Sequence, residues 1–145
     1  MINGSCLCGT VKYQLNSEIS QILLCHCSRC RKATGSAFAA LALVRAEDFK
    51  FLSGEHAVKH YDPAPGVGRY FCQDCGSPLF TKRENAPELL RLRIGTLDTK
   101  LPATPIAHVF VASKSEWLEI CDSNPQFAER AITLINSQQD SIGEV

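Results

Sequence analysis

Hydrophobic and polar residues alternate in short runs along most of this chain, and the period of the alternation is two. In residues 10–15, Val11, Tyr13 and Leu15 share one side while Thr10, Lys12 and Gln14 take the other, the pattern of a half-buried strand. Ile22, Leu23 and Leu24 form a brief apolar run. Residues 37–44 are continuously apolar and bounded by Gly35 and the charged 45–48 segment, which favours a buried strand, although four alanines leave a helix open. Phe49 and Phe51 flank Lys50 ahead of a Ser53-Gly54 turn, and Asp62-Pro63-Ala64-Pro65-Gly66 has the composition of a loop. Further short strands are expected at 69–71, 79–82, 90–94 (Leu90, Leu92 and Ile94 alternating with Arg91 and Arg93) and 108–111.

Many short strands separated by turn signals predict a mainly β domain. The expected exception is the end of the chain. There Phe127, Ala131, Leu134 and Ile135 recur at helical spacing after Asn124-Pro125, which predicts one short C-terminal helix. Residues 1–137 are expected to form a single domain, with 138–145 frayed. The length of 145 residues is enough to bury a substantial core without cross-links.

Composition narrows the class further. With 45% hydrophobic and 21% charged residues, a formal net charge of zero and no block of like charge, the chain lacks the basic footprint of a nucleic-acid binder. No apolar run approaches the roughly 20 residues that span a bilayer, and the first residues lack the pattern of an export signal. A cytoplasmic protein with neither nucleic-acid nor membrane partner is therefore expected.

The eight cysteines change the picture most. Seven lie in three clusters: Cys6-Leu7-Cys8, Cys25-His26-Cys27-Ser28-Arg29-Cys30 and Cys72-Gln73-Asp74-Cys75. In a reducing compartment such clusters favour metal over disulfides. Closed structural zinc sites use four protein ligands, whereas catalytic ones keep three and an open position. The two pairs supply four thiolates, and each is followed by a glycine (Gly9, Gly76) that suits a tight knuckle turn. Cys25, Cys27 and Cys30 supply three. Two zinc ions per chain are expected, one structural and one catalytic.

An extended backbone that aims Cys25 and Cys27 at an ion sends His26 to the opposite side, which favours a supporting or core role for it over ligation. His108 is a longer-range candidate for the fourth ligand, set against an ordinary hydrogen-bonded core histidine. Zinc with three thiolates suits a soft ligand, so a small thiol is the expected occupant of the open position. Arg29, Arg31 and Lys32 are candidates to meet carboxylates on that thiol, with Arg31 and Lys32 preferred; the alternative for all three is solvated loop charge. Cys121 stands apart in apolar company, as a buried cysteine does.

Three stretches resemble a known family: residues 4–9, residues 25–36, and Phe71-Cys72-Gln73-Asp74-Cys75-Gly76-Ser77-Pro78-Leu79-Phe80, with His108-Val109-Phe110-Val111, Lys114, Trp117 and Asp122 also fitting. This is the glutathione-dependent formaldehyde-activating enzyme family, which includes centromere protein V. The match covers about residues 3–127. The resemblance implies a β-tent fold of antiparallel sheets pinned by zinc, as in methionine sulfoxide reductase B-like and mammalian-suppressor-of-sec-four-like proteins. It implies a structural zinc on Cys6, Cys8, Cys72 and Cys75 and a catalytic one on Cys25, Cys27 and Cys30. It further implies glutathione as thiol, formaldehyde as aldehyde, S-hydroxymethylglutathione as product and the carbon–sulfur lyase class. Arg29 departs from the family's common Cys-Ser-Asp-Cys pattern and changes the charge beside the open site. A non-catalytic zinc-stabilised module that binds glutathione or a protein is the main alternative. A reductase working by thiol exchange ranks behind it, because the crowded triple suits metal better than one attacking cysteine.

Overall fold

The computed structural model describes residues 1–131. Ten strands form two sheets. β1 (Ile2–Ser5), β2 (Lys12–Leu15) and β5 (Phe49–Ser53) make a three-stranded antiparallel sheet in the order β1-β2-β5. The other seven are β3 (Ile22–Cys25), β4 (Ala39–Arg45), β6 (Val58–Ala64), β7 (Val67–Cys72), β8 (Pro78–Arg83), β9 (Ala86–Arg93) and β10 (Pro105–Val109). They run in the order β10-β3-β4-β9-β8-β7-β6. Every pairing is antiparallel except β10 with β3, which is parallel. The mainly β expectation with antiparallel sheets is thus what the chain forms. Among the described residues no helix is long and apolar enough to cross a membrane.

Alternation within each strand divides the larger sheet into two faces. One face carries Leu24, Ala42, Val44, Phe80, Leu90 and Leu92, which pack with Val11, Tyr13 and Leu15 of the small sheet into the main core. Phe49 bridges the layers: its ring lies 5.0 Å from Tyr13 and 5.2 Å from Phe80. The wholly buried Tyr13 satisfies its hydroxyl against Thr96 Oγ1 at 2.7 Å. The second face carries Leu23, Cys25, Ala39, Leu41 and Val109, which form a smaller cluster with Cys30. Register continues that face across Arg93, Arg91 and Thr81 to Arg69, through the pairs Leu41↔Arg93, Leu43↔Arg91, Thr81↔Arg91 and Arg69↔Thr81.

Several sequence expectations are corrected. Asp62, Pro63 and Ala64 are not loop but the end of β6, and only Pro65-Gly66 turns. The proline is tolerated because β6 is an edge strand whose register slips between Tyr61 and Ala64. The strand expected at 108–111 lies at 105–109 and stops where Phe110 adopts φ 56°, left-handed backbone that is costly for a non-glycine residue. A seven-residue helix, α1 (Ser28–Thr34), was not expected, since its single buried position leaves no periodic signal. Of the expected C-terminal helix, Phe127 and Ala131 are not helical. Instead, residues near Phe127 run beside β10, with Phe127 N–H donating to the His108 carbonyl at 2.9 Å. Leu134, Ile135 and the tail from 138 lie outside the described residues.

Gly4 tests the packing between the sheets. A Cβ there would come within 2.3 Å of the Tyr13 ring and 2.8 Å of the Thr96 carbonyl oxygen. Gly4→Ala should therefore destabilise the fold by about 1–3 kcal/mol through overpacking, read as a lower urea midpoint at unchanged slope.

Candidate metal centres

The first sulfur cluster forms where two turns meet. Cys6 and Cys8 lie in the turn between β1 and β2, Cys72 ends β7 and Cys75 lies in the turn from β7 to β8, so the cluster spans both sheets. Gly9 (φ 77°) and Gly76 (φ 75°) take left-handed conformations that close the turns, with Gly9 N–H donating to the Cys6 carbonyl and Gly76 N–H to that of Cys72. Leu7 N–H donates to Ser77 Oγ at 2.9 Å, tying one turn to the other. The four sulfurs all lie within 4.8 Å of one another, with Cys6–Cys8 at 3.5 Å and Cys8–Cys72 at 3.9 Å. A tetrahedral zinc with arms of about 2.3 Å would put its sulfurs about 3.8 Å apart, so the donor set fits.

The surroundings of this cluster favour thiolates. Val11 N–H donates to Cys6 Sγ at 3.2 Å. Cys75 is held down to about 5 by the Ser77 hydroxyl, then by the Ser77 and Cys8 backbone N–H groups. The Thr10 hydroxyl and then its backbone N–H lower Cys8. Burial pushes Cys72 up to about 12, the cost of a sulfur with no solvent contact.

The second cluster forms at a strand-to-helix junction. Cys25 ends β3, Cys27 is the N-cap of α1, and Cys30 is in the first turn of α1. Cys27 Sγ accepts from Cys30 N–H at 3.3 Å, the part an N-capping oxygen ordinarily plays. Gly35, with φ 63°, closes the helix. The backbone is extended from Cys25 to Cys27, as the placement of His26 on the opposite side requires, and then turns into α1, which brings three sulfurs within 4.8 Å. All eight cysteines are unpaired. Hydrogen bonds from Cys25 and Cys27, followed by the charge of Arg93 and a hydrogen bond from Arg69, push Cys30 far below the ordinary thiol range. The same contacts with Cys27 and Cys30, together with burial, push Cys25 up. Arg69 reaches the Cys30 sulfur at 3.8 Å.

His26 points away from the trio. It is fully buried, its Nε2 lies 2.8 Å from His108 Nδ1, and His108 Nε2 lies 2.9 Å from Asp122 Oδ2. Both ring nitrogens of His108 are thus engaged outside the sulfur cluster. The His26 main chain is anchored as well: its N–H donates to the Val109 carbonyl at 2.9 Å and its carbonyl accepts from Arg31 Nε at 3.3 Å. This chain fixes the peptide between two sulfur donors. Cys121 is exposed rather than buried, and lies in neither cluster.

A cleft of about 360 Å³ opens on the trio. Cys25, Cys27 and Cys30 line it together with apolar Leu23, Leu41 and Val109. Arg29, Arg69, Arg83, Arg91, Arg93 and Arg130 also line it. Arg31 and Lys32 are not among the lining residues; Arg31 is turned to the His26 carbonyl and Lys32 is exposed. Of the arginines, sequence reasoning singled out Arg29 alone. The available signal was period-two placement of arginine on three strands that neighbour one another, at Arg69, Arg83, Arg91 and Arg93.

The description "Glutathione-dependent formaldehyde-activating enzyme" belongs to the family whose model matches residues 1–113. A Halomonas elongata protein provisionally given that name is 30% identical over 128 residues, covering 83% of this chain and 81% of its own. Relatives of the same provisional name from Aspergillus flavus and Penicillium rubens are 26% and 27% identical. The chain spans 58% and 56% of their respective lengths. A crystal structure of a Rhodobacter sphaeroides protein superimposes with a TM-score of 0.58 at 26% identity, covering 69% of this chain and 91% of that one.

The histidine chain makes a prediction of its own. His108→Leu should cost about 1–3 kcal/mol in chemical denaturation, because it leaves buried His26 Nε2 without a partner. Asp122→Asn keeps a hydrogen-bonding group beside His108 and should cost less.

Proposed function

Because the chain belongs to the glutathione-dependent formaldehyde-activating enzyme family, we propose that it is a zinc-dependent enzyme of carbon–sulfur lyase type that joins a small thiol to an aldehyde. In this reading Cys6, Cys8, Cys72 and Cys75 hold a structural zinc, and Cys25, Cys27 and Cys30 hold a second, catalytic one. One observation carries it. The three-sulfur cluster opens on a cleft large enough for a ligand, while none of the four sulfurs of the other cluster lines that cleft. Three donors at a cavity and four away from it match the division between catalytic and structural zinc sites.

When bound, zinc held by three thiolates supplies a soft open position that takes a thiol and keeps it ionised near neutral pH. The reaction needs no oxidant or reductant. A sulfur–carbon bond forms as the aldehyde C=O π bond breaks, its electron pair passes to oxygen, and the proton lost by the thiol ends on that oxygen. With glutathione and formaldehyde the product is S-hydroxymethylglutathione, and the reverse direction is carbon–sulfur cleavage.

The chain's own residues bind, orient and exclude water. Leu23, Leu41 and Val109 form an apolar wall beside the sulfurs, which strengthens electrostatic contacts within the cleft. Arg29, from the same helix as Cys30, takes the carboxylate-contact role expected of Arg31 and Lys32. The Asp122–His108–His26 chain holds the peptide that carries Cys25 and Cys27. Such an enzyme would be cytoplasmic, with a small thiol and an aldehyde as its partners.

Protein purified without chelator should contain close to two zinc ions per chain by mass spectrometry of metals, and a folded Cys27→Ser variant close to one. Wild-type protein with one zinc would remove the second site. Cys72→Ser should be insoluble or unfolded, since structural zinc contributes about 10–16 kcal/mol against a typical domain stability of about 5–15 kcal/mol. NMR exchange between labelled formaldehyde and its glutathione adduct should speed up with wild-type protein and not with Cys27→Ser. Thiol binding without any acceleration would leave a non-catalytic glutathione-binding module in place of the enzyme.

A further inference from the structure

The formal charge of the chain is zero, yet six of its fifteen lysines and arginines line the cleft that opens on the sulfur trio. No carboxylate lines it among the described residues. Four of these arginines, Arg69, Arg83, Arg91 and Arg93, come from three neighbouring strands of the same sheet. Arg93, buried to 5% exposure, donates through one terminal nitrogen to Thr81 Oγ1 at 3.1 Å, while its other terminal nitrogen is buried without an acceptor. A terminal nitrogen of Arg69 and Nε of Arg83 are buried and unmatched in the same way. Buried guanidinium nitrogens without acceptors are costly, and the cost is recovered when an oxyanion enters.

Compensation of the sulfur cluster does not account for this charge. Arg69 and Arg93 neighbour Cys30, but three thiolates around a dication leave one formal negative charge for six guanidinium groups. The excess shows in the side chains themselves: burial, then the like charges of Arg83, Arg130 and Arg93, holds Arg91 down to about 10. Burial, then Arg130 and Arg69, lowers Arg83. Glutathione brings two carboxylates but also an ammonium group. No carboxylate in the described lining of the cleft would pair with that ammonium, and six guanidinium groups would repel it.

We propose that the cleft prefers a thiol bearing two or more carboxylates and no ammonium group, and binds it more tightly than it binds glutathione. This rests on the trio as the thiol site and adds the class of thiol. Arg93, Arg69 and Arg83 receive the carboxylates in forked, charge-assisted hydrogen bonds. The thiol reaches the sulfur trio at the same end of the cleft as Arg69.

Titration calorimetry on zinc-loaded protein tests this with mercaptosuccinate, glutathione, neutral 2-mercaptoethanol and thiol-free succinate. Mercaptosuccinate should bind at least about tenfold more tightly than glutathione or 2-mercaptoethanol, and its affinity should fall as salt is raised. Arg83→Gln, a half-buried position, should weaken mercaptosuccinate about tenfold, as expected for loss of a charge-assisted hydrogen bond, and leave 2-mercaptoethanol unchanged. Glutathione binding as tightly as mercaptosuccinate overturns the proposal, as does inorganic phosphate displacing succinate at equal affinity. Succinate matching mercaptosuccinate overturns the thiol site beneath it while leaving the anion cleft standing. Loss of discrimination by charge, with all thiols still binding, overturns the anion class alone.

Discussion

Four sulfur atoms from segments 64 residues apart meet where the two sheets join, and we propose that a metal ion held there sets the relation between them. The turn after β1 belongs to the small sheet and the turn after β7 to the large one, and an ion among these sulfurs would hold both. Tyr13, Phe49 and Phe80 complete the contact between layers in the interior. The turns also bond to each other through Leu7 N–H to Ser77 and through the Cys8 N–H to Cys75. The sulfurs lie at the spacing a tetrahedral ion demands, with Cys72 wholly buried. A buried thiol whose ionisation burial opposes gains most from a cation at this point.

With the sheets fixed in this way, the large sheet buries two faces of opposite character. One face is aliphatic and aromatic and packs on the small sheet. The other brings a sulfur trio, a small apolar cluster and a row of arginines into one cleft. A period of two decides membership: Leu90 and Leu92 face the main core, while Arg91 and Arg93 face the cleft, both at 5% exposure. Placing arginines in the interior of a domain is costly unless something anionic meets them. Their position beside the trio relates the fold directly to what the cleft can hold.

Much of this was legible in the sequence. Alternation located the strands bearing Tyr13 and Leu92, a bounded apolar run located the one bearing Leu41, and cysteine spacing separated four donors from three. What was missed has physical causes. Helix α1 has one buried residue, so its hydrophobic pattern carries no period; its N-terminus is capped by a cysteine that was read only as a donor. Asp62-Pro63 has loop composition, and only sheet order shows it on an edge where proline is permitted. The alternation of Arg91 and Arg93 was visible, but a sequence does not say whether the polar side of a strand meets water or a cavity. Arg31 and Lys32 stood closest to the trio in sequence, yet helix geometry turns them elsewhere and brings in arginines from strands far along the chain.

Anomalous diffraction at the zinc edge, from crystals grown without chelator, tests the central division of sulfurs most directly. The account predicts two peaks, one enclosed by Cys6, Cys8, Cys72 and Cys75 and one held by Cys25, Cys27 and Cys30 with its free side toward the arginine-lined cleft. A single peak, a disulfide within the trio, or a fourth protein donor closing the second site would contradict it.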